Sequence, residues 1–355
     1  MRNAEITGLR LAAQRIAHSS FEHPVDVVRH MLAMQAQDLP GARWSVGLRL
    51  PGSTDADVEV ALASGSIVRS WPMRGTLHLV TPDDLGWLMD ISGPRQATWA
   101  AKRRSDLGIT DAELSRAGEV AVTVMSGGRC IRRDALLQEW QRAGIPTDGQ
   151  RAYHLLWNLG QLKHIVFGPP DAKQPTFALF DEWVTAPRAL ERDEALAEFA
   201  SRYFASHGPA TVRDFAWWSS ITLGDARKAV AAATGLQQHE FDGVAHYFAE
   251  GLEPALEGVH ALPGFDEYML GYQDRSPGLP AEFANRIVPG NNGMFLPTIV
   301  VDGQVVGTWK RSDTSRVARI DLSEFTSLTK KSHAGFQKAI DRYGQFIGKP
   351  VELRG

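Results

Sequence analysis

Met34-Gln35-Ala36-Gln37-Asp38-Leu39-Pro40-Gly41 places two neutral amides, one residue apart, where an amphipathic helix stops. Upstream, Val27, Val28, Met31, Leu32 and Met34 recur at helical spacing. Downstream, Pro40 and Gly41 are breakers, so residues 35–39 are predicted to leave the helix in extended form. Inside a helix, residues i and i+2 point about 200° apart, whereas in an extended segment they share a side. Gln35 and Gln37 are thereby expected to converge on one small target, each with two donors and an acceptor.

Outward from that stretch the chain reads as helices punctuated by hairpins. Residues 7–17, 24–34 and 56–63 are predicted helices, the second opened by Pro24 and the third capped from Ser53-Thr54-Asp55. Two short alternating segments, 67–71 and 76–80, then meet through Met73-Arg74-Gly75. Helix, helix, helix, hairpin is the winged-helix order. It recurs with helices at 111–125, 133–143 and 149–159 and strands at 163–167 and 176–180. A third round has helices at 190–206, 211–219 and 223–233 and strands at 237–241 and 244–249 around Asp242-Gly243, a type I′ turn signal. From Leu262 onward strands and loops take over: 294–301 and 304–310 flank Asp302-Gly303, 316–322 adds a strand, and 332–346 is an amphipathic helix. The predicted fold is mainly α with β, an α+β class: three tandem winged-helix units at 1–95, 96–187 and 188–255, then a β-rich segment and terminal helix at 256–355.

Gln35-Ala36-Gln37 after an N-terminal helix resembles the Gln-hydrophobic-Gln motif of the winged-helix DNA glycosylases of the AlkZ/YcaQ superfamily. The same resemblance extends to Trp71-Pro72-Met73-Arg74-Gly75-Thr76-Leu77-His78, to Pro263-Gly264-Phe265-Asp266-Glu267-Tyr268, and to Phe295-Leu296-Pro297-Thr298 through Val301-Asp302-Gly303 to Gly307-Thr308-Trp309. It implies a monofunctional DNA glycosylase that needs no cofactor, with Gln35 and Gln37 as the catalytic pair. YcaQ-type members carry an aspartate at the second motif position. Gln37 follows the AlkZ pattern, which implies interstrand cross-links or bulky natural-product adducts as substrates. Ala36 is small for the middle position.

The chemistry open to the pair agrees with that. An amide neither gives nor takes a proton near neutral pH, so it can only orient and polarise. This suits a reaction whose leaving group departs easily, such as hydrolysis of the N-glycosidic bond of an N7- or N3-alkylated purine, where the base is already cationic. The site must then place a water at C1′ and stabilise an oxocarbenium-like sugar with fixed dipoles. Asp38, beside the motif, is either a water-activating base or, pointing to the other side of an extended segment, a cap or ion-pair partner.

The partner expected from this reading is duplex DNA carrying an alkylated purine. A net charge of −3 argues against a phosphate-gripping protein, and only local clusters of cations oppose it. They are Arg95 with Lys102, Arg103 and Arg104; Arg129 with Arg132 and Arg133; Lys310 with Arg311; and Lys330 with Lys331. Arg74, His78, Arg103, Arg104, Lys310 and Arg311 are candidate DNA contacts, the last two ending a hairpin. Trp71, if partly exposed, would stack on a base or sugar; otherwise it and Trp44 are core. His78 is alternatively a hydrogen-bonded hairpin histidine. The loop 264–278 is either a lip of the cleft or a turn held by Asp266 and Arg275.

Several classes are excluded by pattern. The histidines show no metal spacing, and a single cysteine, Cys130, rules out an internal disulfide and a multi-cysteine zinc site. No phosphate loop or nucleophile elbow occurs. The apolar runs are short of a membrane span and the N-terminus lacks a secretory core, so a cytoplasmic monomer is expected. The rival reading is a non-catalytic winged-helix DNA-binding or regulatory protein, which would carry a basic recognition helix; residues 211–219 offer only Arg213. A protein scaffold is the third.

Overall fold

The computed structural model describes residues 3–171, 174–255, 257–313 and 316–354. Two units divide the chain: one comprises Met1–Glu59, Leu196–Trp218 and Thr222–Gly355, the other Val60–Ala195 with Ser219–Ile221. Both mix helices and antiparallel strands, as the predicted class requires.

In the first unit, Val27, Val28 and Met31 bury one face of the helix Pro24–Met31, which stops three residues earlier than its periodicity suggests. Leu32 then adopts φ 65° and ψ −50°, and the Ala33 N–H donates to Met31 O at 2.8 Å. This is the strained, positive-φ form of the γ-turn. It turns the chain into the short strand Met34–Gln35.

The stretch after the strand corrects the sequence reading. Pro40 and Gly41 do not keep it a loop, because they lie in the first turn of a helix, Leu39–Leu48. There a proline loses nothing, since first-turn N–H groups have no intrahelical acceptor and its fixed φ already suits a helix. Gly41 leaves room for the exposed Asp38 carboxylate, since a Cβ there would fall 2.6 Å from Asp38 Oδ2.

The same unit holds a five-stranded sheet in the order Val351–Arg354, Ala318–Glu324, Gln304–Asp313, Thr298–Val301, Val259–Leu262. Only its Ala318–Glu324/Val351–Arg354 pair is parallel. The helix Lys330–Ile347 buries Phe336, Ile340, Tyr343 and Phe346. Gly47 lets it approach the Leu39–Leu48 helix so closely that a Cβ would meet the Phe346 ring. Trp44 and Trp309 donate their indole N–H groups to Ala261 O and Leu262 O, each at 2.9 Å, so both rings are core. The helices Arg192–His207, Val212–Ser219 and Leu223–Ala232 precede the hairpin Leu236–Phe241/Val244–Ala249, whose Asp242 and Gly243 both have the positive φ that a type I′ turn demands.

In the second unit, two hairpins expected as separate wings share one sheet. Its strands run Thr76–Val80, Val68–Met73, Ile165–Phe167, Thr176–Leu179, Ile131–Arg132, with Arg69 opposite Phe167 at the junction. The helices Asp111–Met125, Arg133–Arg142 and Arg151–Gln161 pack Leu114, Trp140 and Leu155 against this sheet's Trp71, Ile165 and Phe177. A second unforeseen helix, Pro82–Asp106, again opens on a proline and runs through Pro94 and across residue 95. Among the described residues no helix is long and apolar enough to cross a membrane.

Candidate active site

The amides Gln35 and Gln37 differ in setting. Gln35 lies in the strand and is only 9% exposed, Ala36 is fully buried, and Gln37 and Asp38 are exposed in a bend. The extended form therefore ends before Gln37, and strict alternation does not impose one side on both amides. Asp38 takes the N-cap position of the Leu39–Leu48 helix with no side-chain capping bond; its main-chain carbonyl accepts from Ala42 N at 2.9 Å.

Beneath Gln35 lies a buried polar network from the Pro263–Tyr268 motif. The Gln35 main-chain N–H donates to Glu267 Oε1 at 2.9 Å, and the Trp218 indole N–H donates to Glu267 Oε2 at 2.8 Å. His207 Nε2 stands 3.6 Å from that same oxygen, its ring stacked on Tyr203. The adjacent Asp266 forms a two-pronged ion pair with Arg49, Nη1 to Oδ2 at 2.9 Å and Nη2 to Oδ1 at 3.0 Å. Arg49 also donates to the Gln14 carbonyl, to Gln14 Oε1 and to Ser45. Arg49, Asp266 and Glu267 are fully or almost fully buried. Burial pushes the Tyr203, Tyr268 and Tyr272 phenols up, so all three are neutral donors, to Gly271 O, Gly303 O and His207 O.

The turn expected between Asp266 and Arg275 is thus replaced by the Arg49 pair. Arg275 instead donates Nε–H to Met269 O at 2.6 Å, and its guanidinium lies over the Trp217 and Phe295 rings. With Leu279, Ile287 and Val288 these line a cavity of about 430 Å³.

On the second unit, Arg74 and Gly75 form the two-residue turn between Val68–Met73 and Thr76–Val80, with φ 55° and 66°. A glycine or asparagine is the usual occupant where Arg74 stands. His78 is fully buried: Arg74 Nη2 is 3.0 Å from Nε2, and Nδ1 is 2.9 Å from Thr76 O. A guanidinium only donates, so Nε2 accepts and Nδ1–H donates to Thr76; this is a neutral histidine that holds Arg74 rather than a phosphate contact. Trp71 is also corrected. At 2% exposure, with its ring against Phe167, it offers no face to a base.

Arg103 is exposed and donates to Gln150 Oε1 at 2.5 Å, whereas Arg104 is ion-paired with Asp111 at 2.7 Å. Lys310 and Arg311 do not end a hairpin, because their strand continues to Asp313. Lys310 is exposed opposite Asp321; Arg311 is half-buried and donates to the Tyr343 hydroxyl. Sequence reading missed Trp99, 56% exposed with the Arg95 guanidinium 4.8 Å from its ring centre. Arg95, Trp99, Lys102 and Arg103 sit at helical spacing, a signal hidden by the unit boundary placed at residue 95.

The sequence and fold have counterparts in known proteins. The sequence profile of the family described as DNA glycosylase AlkZ-like matches residues 28–346. An interstrand DNA cross-link repair glycosylase from Streptomyces sahachiroi is 26% identical across 82% of this chain and 83% of its own. The solved structure of Streptomyces sahachiroi DNA glycosylase AlkZ superposes with a TM-score of 0.81 at 22% identity, covering 100% of both chains. With its profile match spanning most of the sequence, the chain belongs to the AlkZ-like family of DNA glycosylases.

Proposed function

We propose that this chain is a monofunctional glycosylase that hydrolyses the N-glycosidic bond of N7- or N3-alkylated purines in duplex DNA, with Gln35 and Gln37 as its catalytic pair. The observation that carries the reading is the anchoring of Gln35 by its main-chain N–H on the buried Glu267 carboxylate at 2.9 Å, with the exposed Gln37 two residues on. Fixing the backbone that carries the side-chain amide supports its use as an oriented dipole toward developing charge. In the step proposed, the C1′–N9 bond breaks with its electron pair going to the already cationic base, which leaves neutral. Water adds to C1′ and loses its proton to solvent. Neither amide ionises.

A cross-linked purine is proposed among the substrates, on the strength of the relative's name and the glutamine at position 37. Arg74, Arg103, Arg104, Lys310 and Arg311 are the proposed phosphate contacts; Arg104 is ion-paired with Asp111, and Arg74, Arg103 and Arg311 hydrogen-bond His78, Gln150 and Tyr343. The three helix-helix-helix-hairpin rounds at 1–95, 96–187 and 188–255 are proposed as winged helices, with 256–355 as the β-rich segment, and the protein as a cytoplasmic monomer without cofactor.

The test is release of free base from a duplex containing N7-methylguanine or a purine cross-link, leaving an alkali-labile site. Gln35→Ala and Gln37→Ala should each slow single-turnover release by about 10²- to 10³-fold with DNA affinity nearly unchanged. Affinity should fall steeply with salt and vary little with sequence. No base release from any of these substrates overturns the proposal.

A further inference from the structure

Two consecutive acidic residues, far along the sequence, grip the two ends of the segment that carries the amides. Glu267 takes the Gln35 N–H, and Asp266 takes the Arg49 guanidinium at the end of the Leu39–Leu48 helix. Between those anchors lie Gln37 and Asp38. The upstream side is fixed by the γ-turn at Leu32. The carrier of both acids is itself locked: Asp266 Oδ1 accepts from Tyr268 N at 2.9 Å, and the Glu267 carbonyl accepts from Gln14 Nε2 at 3.2 Å.

We propose that Glu267 is the positioning residue for Gln35, acting through its main-chain N–H. This rests on the reading of Gln35 as catalytic. Glu267 is fully buried and meets an N–H at each oxygen, Gln35 N–H at Oε1 and Trp218 Nε1–H at Oε2. A carboxylate accepts at both oxygens, whereas an amide of the same shape accepts at one and presents NH₂ at the other. Glutamine at 267 therefore sets donor against donor at one end, and a buried donor clash is relieved by moving a chain. Gln35 sits on the shorter element, a two-residue strand, against the eight-residue helix that carries Trp218. Trp218 is wedged among Phe199, Tyr203 and His207 rings.

The experiment is a cycle of Glu267→Gln, Trp218→Phe and the double variant in the full chain. Three quantities are measured: single-turnover release of N7-methylguanine, DNA affinity, and deuterium exchange at the Gln35 amide. Glu267→Gln should slow release by roughly 10- to 100-fold, keep affinity within about twofold, and speed exchange at Gln35. Removing the Trp218 indole lets the glutamine turn its NH₂ toward the vacated side, so the double variant should release base faster than Glu267→Gln alone and regain Gln35 protection. Merely structural damage would make the double variant the slower one, and that order overturns the proposal. So does a Glu267→Gln rate equal to wild type while Gln35→Ala is inactive. Should Glu267→Gln fail to fold, Glu267→Asp keeps the charge but draws it back; unchanged release and Gln35 exchange in that variant count against the proposal equally. A wild-type protein that releases no base defeats the parent reading instead, while the Gln35 exchange data still decide the positioning claim.

Discussion

Asp266→Asn replaces one oxygen of a buried, two-pronged ion pair by NH₂ with little change in shape. The side chains of Arg49 and Asp266 are 0% and 1% exposed, so water does not screen the pair. Asp266 Oδ2 accepts from Arg49 Nη1 and from Ser45 Oγ; Oδ1 accepts from Arg49 Nη2 and Tyr268 N. Asparagine can serve one of those pairs and opposes the other, and the guanidinium keeps a charge with no counter-ion in contact. Breaking a buried pair from one side costs about 3 to 5 kcal/mol, against roughly 0 to 1 kcal/mol for an exposed one. A loss of that size is a large fraction of a domain's stability, about 5 to 15 kcal/mol. Urea unfolding followed by tryptophan fluorescence should show the midpoint falling by roughly 1 M or more. Arg49→Met leaves the opposite charge stranded, and in the double variant neither remains, so the two losses should be less than additive by about 2 kcal/mol or more. An Asp266→Asn loss below about 1 kcal/mol would refute the reasoning, since it is what a solvated pair gives.

Gly160→Ala puts a Cβ 2.5 Å from Trp71 Cε3 and 2.7 Å from Cζ3, so thermal unfolding should show a loss of about 1 to 3 kcal/mol despite alanine's better helix propensity. Arg74→Asn supplies the Asn-Gly pair that a type I′ turn prefers, a gain of up to about 1 kcal/mol. It also takes the Arg74 donor from the buried His78 Nε2, a loss of about 1 to 3 kcal/mol. Calorimetry should show stability unchanged or lowered by up to about 2 kcal/mol, while DNA affinity falls. His30 and His260 are each lowered to about 4, chiefly by burial, with nearby arginines adding. Below about pH 6.5 the unfolded chain binds protons that the folded chain refuses, so stability should fall as pH drops from about 6.5 to 4 and that contribution should then level off. The slope is at most about 1.4 kcal/mol per pH unit per histidine. Urea midpoints at pH 7 and pH 5 check it, and an unchanged slope in His30→Gln/His260→Gln would contradict it.

How much of this was legible in the sequence depends on how local each signal is. Asp111–Met125 and Val244–Ala249 match their predicted bounds because caps, periodicity and an Asp-Gly turn all lie within a few residues. Leu39–Leu48 was missed because Pro40 was read as an end when it stood in a first turn, where it marks a beginning; Pro82–Asp106 opens on a proline in the same way. Burial of Trp71 and His78 could not be read from the Trp71–His78 stretch, since the residues that cover Trp71 arrive from 151–167, far downstream. The site splits in the same way. Gln35 and Gln37 stood out through resemblance to a motif, but Gln35 to Glu267 and Arg49 to Asp266 are contacts across 232 and 217 residues. No periodicity or spacing in one sequence pairs residues that far apart.

That distance follows from the chemistry. A carboxylic acid or imidazole that stands slightly out of place still transfers a proton through an intervening water, whereas an amide contributes only the direction of its dipole. Misplacement by about 1 Å can cost an oriented group a hundredfold in rate, so a site built on amides needs its backbone fixed rather than its pKa tuned. The restraints found around Gln35 are of that kind: a strained γ-turn at Leu32 before it, the Glu267 carboxylate on its own N–H, and the Arg49–Asp266 pair at the end of the helix that follows. Local turns alone do not supply such rigidity, because loops exposed on one side relax. Buried charges from another part of the chain can, since they tolerate few geometries, and this explains why support for Gln35 comes from Glu267, 232 residues away.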